Sequence, residues 1–117
     1  MPSEVDGLAF GDIVLVPFPF TDQSAVKRRP AVVISSAEYN EQQPDVILMP
    51  VTSQLRASAR PFDVIIEGWE LAGLLKPSAV KPIIATLEQA ILIRRLGAIE
   101  PADRTALTDS LDRILAH

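Results

Sequence analysis

Short apolar runs separated by polar or proline-containing stretches dominate the first two-thirds of the chain. Most of these runs are rich in β-branched residues, which is typical of strands. Four of them predict strands at residues 13–16, 31–34, 46–51 and 62–66. A fifth strand is predicted over residues 79–87, interrupted by Pro82.

The stretches between these runs carry weaker signals. Residues 1–9 show no periodicity, so we expect a flexible arm there. The polar residues 36–44 predict a loop, and residues 68–77 predict a turn or a short helical excursion. Residues 91–96 are compatible with either a strand or a helical turn.

The C-terminal residues 101–116 have a helical pattern. Pro101 suits the first helical position, where no amide hydrogen is needed. The apolar side chains on one face are Leu107, Leu111, Ile114 and Leu115. Several short strands followed by one amphipathic helix predict a single domain over residues 1–117, mainly β, with a barrel-like antiparallel sheet and a packed C-terminal helix.

Composition is that of an ordinary globular domain, with 48% hydrophobic and 22% charged residues in 117. The sequence has no cysteine, which excludes disulfides and thiolate chemistry. Its N-terminus lacks the basic region of a signal peptide. The longest apolar run covers only residues 13–20, far short of the ~20 residues of a membrane span. We therefore expect a cytoplasmic location.

The net charge of −4 argues mildly against nucleic-acid binding, because affinity for phosphates comes from Lys and Arg. The distribution of charge changes this picture. One basic cluster contains Lys27, Arg28 and Arg29, and a second contains Arg56 and Arg60. Acidic residues concentrate near the C-terminus. A basic groove on an acidic body is compatible with this pattern.

The missing residue types narrow the possible chemistry. His117 is the only histidine and is the last residue, so Ser-His-Asp and Cys-His arrangements are excluded. The sequence shows no spacing typical of a metal site and no glycine-rich phosphate loop. We expect no metal or cofactor, and any enzyme chemistry must rest on Arg, Lys, Thr, Ser, Asp and Glu.

Four segments in order resemble the MazF/PemK family of toxin endoribonucleases. The first reads Gly-Asp-Ile-Val-Leu-Val-Pro-Phe-Pro-Phe-Thr-Asp over residues 11–22, and the second Lys-Arg-Arg-Pro-Ala-Val-Val-Ile-Ser over residues 27–35. The third, residues 46–54, ends in Pro-Val-Thr-Ser-Gln, and the fourth is Gly-Leu-Leu-Lys-Pro-Ser-Ala-Val at residues 73–80. The resemblance extends from about residue 11 to residue 96, and a helix follows.

This resemblance implies an SH3-like barrel, usually a homodimer, held inactive by a partner antitoxin. It also implies sequence-specific, metal-independent cleavage of single-stranded RNA through attack of the ribose 2′-hydroxyl. The family's catalytic arginine and threonine correspond to Arg29 and Thr52. The residues expected to bind substrate are Lys27, Arg28, Gln54, Arg56 and Ser78.

The chemistry of this pair fits the implied reaction. An arginine can hold phosphoryl oxygens with two parallel hydrogen bonds, and a neighbouring hydroxyl can donate another. The acceptor of the 2′-hydroxyl proton stays open among Asp22, water and Arg29 itself. Taken alone, Arg29 is typical of a surface ion pair, and Thr52 of a strand end bonded to nearby backbone.

Two other functions stay open at this point. The same barrel could belong to a non-enzymatic toxin that binds DNA gyrase, as in the related CcdB group, because fold does not fix function. It could also be a catalytically decayed module that binds nucleic acid or a peptide. The Arg29-Pro30 dipeptide and Thr52 favour the nuclease.

Overall fold

The computed structural model describes residues 5–17, 27–55 and 60–117, and all structural statements below concern these residues. It contains seven strands and two α-helices, with a 3₁₀ turn at Gln89–Ile91. The strands are β1 (Asp12–Pro17), β2 (Arg28–Val33), β3 (Asp45–Thr52), β4 (Val64–Ile66), β5 (Ser78–Val80), β6 (Ala85–Glu88) and β7 (Arg94–Ala98). The helices are α1 (Ala37–Gln42) and α2 (Pro101–Ile114).

Antiparallel pairing joins the strands in the order β4-β5-β3-β2-β1-β7, with β6 also paired to β3. β3 is long enough to have β2 on one edge and both β6 and β5 on the other. β6 pairs with its first half and β5 with its end. The expectation of a mainly β, barrel-like sheet followed by a C-terminal helix is confirmed.

Alternation along β1, β2 and β3 places apolar side chains on both faces of the sheet, which produces two cores. One face carries Ile13, Val32 and Met49, and this core extends to Leu107 of α2. The other face carries Val14, Val16, Ala31, Val33 and Leu48. A sheet covered on both faces explains why these strands are nearly continuous apolar runs.

Residues 36–44 form a helix over most of their length, so the predicted loop is wrong. Ser36 caps α1, since its Oγ accepts a hydrogen bond from the Tyr39 amide at 3.1 Å. The side chain of Asn40 is buried and donates to the carbonyls of Leu8 and Ser35. The residue that anchors α1 in the fold is therefore polar. Because α1 has no stripe of apolar side chains, its sequence carries no amphipathic pattern that would predict a helix.

The flexible arm expected at residues 1–9 is wrong for residues 5–9, because Val5 and Leu8 are only 3% and 2% exposed and pack in the second core. Residues 1–4 lie outside the described part of the chain. The strand predicted over 79–87 is divided into β5 and β6, with Pro82 between them. Of residues 91–96, left open from the sequence, Ile91 ends the 3₁₀ turn and residues 94–96 belong to β7.

The C-terminal helix ends two residues earlier than predicted, at Ile114. Leu107 is fully buried, and Leu111 and Ile114 pack against the same core, as the periodicity predicted. Leu115, the last member of the predicted apolar period, lies beyond the helix and is 50% exposed. Within the described ranges, no helix is long and apolar enough to cross a membrane.

Candidate functional site

A cleft of about 870 Å³ opens where β1, β2, the end of β3 and β7 meet the segment that precedes β5. Leu15 of β1 lies centrally between its walls, because it pairs with Pro30 of β2 on one side and with Arg94 of β7 on the other. The apolar lining includes Val51, Leu74 and Leu75, and Leu75 is 93% exposed. The cleft therefore offers apolar surface as well as charge.

The charge of this cleft is of one sign. Its described lining includes no Asp or Glu and six cationic residues, of which Arg95 forms an ion pair with Asp12 outside the lining; the six are Lys27, Arg28, Arg29, Lys76, Arg94 and Arg95. The whole chain has only 11 Lys and Arg residues against 15 Asp and Glu, so the cations are concentrated here. Such a cleft attracts anions although the protein as a whole is acidic.

The pairing of β2 with β3 relates Arg29 to Thr52. The last paired residues are Ala31 and Pro50, and both strands continue beyond them in this direction. Two further steps in the same register bring Arg29 opposite Thr52, so both residues continue one row of side chains at the open end of this strand pair. Arg29 is part of the cleft lining, whereas Thr52 is not, although its chain neighbours Val51 and Ser53 are.

The side chain of Arg29 is half-buried and makes no hydrogen bond or ion pair with any residue in the described ranges. An arginine of the ordinary surface type would be paired with an acid or fully solvated. Lys27 and Arg28 are exposed neighbours on the same wall. The cluster expected from the sequence is therefore brought together at the cleft.

Three other candidates make local bonds. The hydroxyl of Thr52 accepts a hydrogen bond from the Gln54 amide at 3.1 Å, the strand-end role that Thr52 alone would predict, and its proton remains available to another acceptor. Gln54 is exposed and is not part of the cleft lining. Ser78 borders the cleft, but it is buried and donates to the Lys76 carbonyl at 2.8 Å.

Two residues named from the sequence, Arg56 and Asp22, lie outside the described residues. Conversely, sequence reasoning missed Lys76 and the Arg94-Arg95 pair as residues of the cleft. Lys76 was inside a segment that carried the family resemblance, and the two arginines were in a region without a clear period. Two adjacent arginines in a strand candidate would have been the signal.

The described residues contain no group of three or more His, Cys, Asp or Glu side chains that could hold a metal ion. The cationic lining of the cleft would also repel a divalent cation by Coulomb's law. The groups offered by this site are therefore guanidinium, ammonium and hydroxyl donors.

Comparison with known proteins gives a consistent result. Residues 9–115 match the family model described as the PemK-like, MazF-like toxin of type II toxin-antitoxin systems. The chain is 34% identical over 74 residues to the endoribonuclease toxin MazF of Escherichia coli K12 and to endoribonuclease MazF of E. coli O157:H7. These alignments span 62% of this chain and 65% of each relative, just under two thirds of the relatives' length.

Solved structures with the same fold include MazE-MazF (Form-III) from Deinococcus radiodurans, with a TM-score of 0.72, 24% identity, and coverage of 92% of this chain and 95% of that one. A mycobacterial endoribonuclease in complex with its cognate antitoxin gives a TM-score of 0.71 at 18% identity, covering 92% of both chains. At these identities the likeness concerns the fold. Because the family model covers nearly the whole chain, this protein belongs to the family of PemK-like, MazF-like toxins of type II toxin-antitoxin systems.

Proposed function

We propose that this protein is the toxin of a type II toxin-antitoxin system and acts as an endoribonuclease on single-stranded RNA. The observation that carries the proposal is the cleft with cationic and no acidic lining, into which β2 brings Arg29 without a partner in the described part of the chain. RNA is a polyanion, and a site for it needs unneutralised cations. The MazF relatives in E. coli are named endoribonucleases, which agrees with this chemistry.

The proposed reaction begins with attack of a ribose 2′-oxygen on the adjacent phosphorus. A bond forms between that oxygen and phosphorus, and the bond to the 5′-oxygen of the next nucleotide breaks. The products are a 2′,3′-cyclic phosphate and a 5′-hydroxyl, and the 2′-hydroxyl proton passes to an acceptor while the leaving oxygen takes up a proton. DNA lacks the attacking hydroxyl, so it is not cut.

Arg29 and Thr52 act on the charge that develops on the phosphoryl oxygens. A guanidinium donates two parallel hydrogen bonds to such oxygens, and the Thr52 hydroxyl donates a third. The Thr52 oxygen accepts from the Gln54 amide, and this bond fixes the hydroxyl at the strand end without using its proton. β2 and β3 fix the backbone positions of Arg29 and Thr52 before substrate arrives, and the Arg29 side chain is expected to become ordered on the phosphate.

Catalysis in this scheme requires no metal ion, because the charge is held by protein donors. Cleavage at short sequences is expected to depend on the two connections at residues 21–28 and 53–61, which follow β1 and β3 along the chain. Lys27 and Arg28 supply contacts to the RNA backbone. The exposed Leu75 offers an apolar surface on which a base can lie.

The proposed partners follow from the same cleft. A free ribonuclease would damage the cell, so an antitoxin with an acidic segment that folds on binding would neutralise the cationic surface. The solved MazE-MazF and antitoxin complexes of the structural neighbours support this arrangement. We also propose that the active form is a homodimer in the cytoplasm, where RNA and the antitoxin are produced.

The deciding experiment incubates the purified protein with a long single-stranded RNA in excess EDTA, beside Arg29→Ala and Arg113→Ala. We expect discrete cuts by the wild type and a loss of about 10²-fold or more in Arg29→Ala, as for removal of a transition-state donor. Arg113 is a matched control, because this arginine of α2 lies over the Phe62 ring and is not part of the cleft lining. New ends should carry cyclic phosphate and 5′-hydroxyl.

Intact RNA with several substrates of varied sequence would contradict the proposal and would favour a gyrase-binding or decayed toxin. Cleavage that disappears in EDTA and returns with Mg²⁺ would contradict the metal-independent mechanism. Equal loss in the Arg29 and Arg113 variants would remove Arg29 from the reaction.

A further inference from the structure

The pairing of β7 with β1 contains an irregularity next to the cleft. Ile13 pairs with Gly97, but the next residue of β1, Val14, pairs with Arg95. Leu96 is therefore an extra residue in β7, which makes it the site of a β-bulge. Bulges change which side chains face each side of a sheet, because side chains in a strand alternate with a period of two.

This bulge determines which of two adjacent arginines lies beside Leu15. A regular continuation from Ile13 and Gly97 would pair Leu15 with Arg95. The bulge shifts the register by one residue, and Arg94 takes that position instead. Pro30, Leu15 and Arg94 thus form one row across β2, β1 and β7, with neighbouring strands ~4.8 Å apart. Arg94 lies about 10 Å from β2, across the cleft.

The two arginines differ in their contacts. Arg95 lies opposite Val14, on the same side of the sheet as Asp12, and its guanidinium is 3.4 Å from the Asp12 carboxylate. It also donates to the Asp6 carbonyl at 3.0 Å. The exposed Arg94 makes no hydrogen bond, ion pair or ring contact with its side chain to any residue that the structure describes.

Lys76 is held on the same wall as Arg94. Gly73 has φ +92° and packs against the Leu96 backbone so closely that a Cβ there would overlap the Leu96 carbonyl. Gly97 packs in the same way on the Ala72 carbonyl. This contact of two backbones joins the segment bearing Lys76 to the bulge in β7, and both Lys76 and Arg94 line the cleft.

We infer that Arg94, placed by the bulge at Leu96 and assisted by Lys76, binds a phosphate of the RNA that enters the cleft. Arg95 has a structural role and does not bind RNA. This inference deepens the proposed function and rests on it. Its physical basis is that a cation free of protein partners can release counterions from a phosphate, whereas one held by a carboxylate has already been neutralised. Arg94 is then a determinant of substrate affinity and of the path of the RNA backbone.

The test measures binding instead of cleavage. A mixed-sequence 12-nucleotide RNA with 2′-fluoro riboses keeps its phosphates but has no attacking hydroxyl. Its affinity is measured between 0.05 and 0.5 M salt for the wild type, Arg94→Gln, Arg95→Gln and Lys76→Gln. For a single strand the slope of log K against log salt is about −0.7 per phosphate contact.

We expect Arg94→Gln to make this negative slope shallower by about 0.7. The affinity at 0.1 M salt should fall by about fivefold, and this loss of affinity should disappear as the salt concentration approaches about 1 M. Lys76→Gln should act in the same direction, and the double variant should lose more than either single one. Arg95→Gln should keep the wild-type slope and unfold at lower urea concentration. In cleavage assays, Arg94→Gln should raise KM more than it lowers kcat.

An unchanged slope in Arg94→Gln would overturn the inference. So would an equal reduction in Arg95→Gln, since any cation would then serve. Failure of this inference is separable from failure of the proposed function. Wild-type cleavage of ordinary RNA with no slope change in Arg94→Gln overturns only the inference. Salt-dependent binding that needs Arg94, without cleavage, overturns only the nuclease.

Discussion

Polar side chains of α2, here called the helix side of the molecule, have hydrogen-bond partners within the fold, whereas the arginines of the cleft differ in this respect. On the helix side, buried Asp103 accepts hydrogen bonds from the amides of Glu67 and Gly68 at 3.0 and 2.9 Å. Ser110 of the same helix donates to the Phe62 carbonyl at 3.0 Å. In the cleft, Arg29 and Arg94 make no such bonds to described residues. Polar groups with partners hold the fold, and those without partners remain available to a ligand.

This difference has an energetic side. Clustered cations repel one another, so the cleft lowers the free energy of unfolding until an anion binds. The hydrogen-bonded carboxylate of Asp103 raises the free energy of unfolding, because each hydrogen bond to a charged group contributes about 1.5–3 kcal/mol. Substitutions in the two regions should therefore separate stability from activity, and three of them test the comparison in order of decreasing effect.

Asp103→Ala should have the largest effect, and on stability alone. It removes the charged acceptor of two part-buried hydrogen bonds from the amides of Glu67 and Gly68, and at about 1.5–3 kcal/mol for each bond we expect a loss of about 3–5 kcal/mol in the free energy of unfolding. Urea unfolding followed by circular dichroism measures it. The matched control is Asp109→Ala on the same helix, an exposed carboxylate whose removal should change stability by less than about 0.5 kcal/mol.

Cleavage per folded molecule should stay unchanged in Asp103→Ala at temperatures where it is folded. Equal stability of the Asp103 and Asp109 variants would show that the buried carboxylate does not hold the turn at residues 67–68.

Thr52→Val should come second, and here the effect is on cleavage. Valine keeps the shape and removes the hydroxyl donor, so the rate should fall about 10²-fold, equivalent to about 2.7 kcal/mol. The bond from the exposed Gln54 amide is also lost, but stability should change by no more than about 1 kcal/mol. Thr52→Ser keeps the hydroxyl and should retain most of the rate in a single-turnover assay.

A Thr52→Val variant with wild-type cleavage would reduce Thr52 to a strand-end residue. Equal loss in Thr52→Ser would show that packing of the methyl group, and not the hydroxyl, is needed.

The sequence predicted the strands better than the cleft, for physical reasons. Residues 13–16 and 46–51 are apolar on both faces, and a sheet covered on both sides requires such runs. Residues 36–44 gave no signal, because α1 is held by the cap at Ser36 and by buried Asn40 and not by an apolar stripe.

Residues of the candidate site could be predicted from the sequence only where they belong to a short local motif. Arg29 and Thr52 belong to motifs that form part of β2 and β3, and continuing the register of these strands places the two residues opposite each other. Arg94 is different, because its position depends on a bulge in β7 and on the packing of Gly73 against Leu96 from another segment. Asp103 is similar, since its amide partners lie 35 and 36 residues away in the chain. Contacts of this range leave no local pattern.

Arg104→Gln should have the smallest effect and gives the comparison its strictest control. Arg104 is an exposed cation like Arg94, but it has partners, since it donates to the Phe10 carbonyl at 2.8 Å and its guanidinium lies 5.4 Å from the centre of the Phe10 ring. Its loss should cost about 0.5–1 kcal/mol of stability, and a double-mutant cycle with Phe10→Leu measures the coupling. RNA affinity and its salt dependence should stay at the wild-type values. If Arg104→Gln weakened RNA binding as much as Arg94→Gln, the net charge of the protein and not the absence of partners would decide which cations bind RNA.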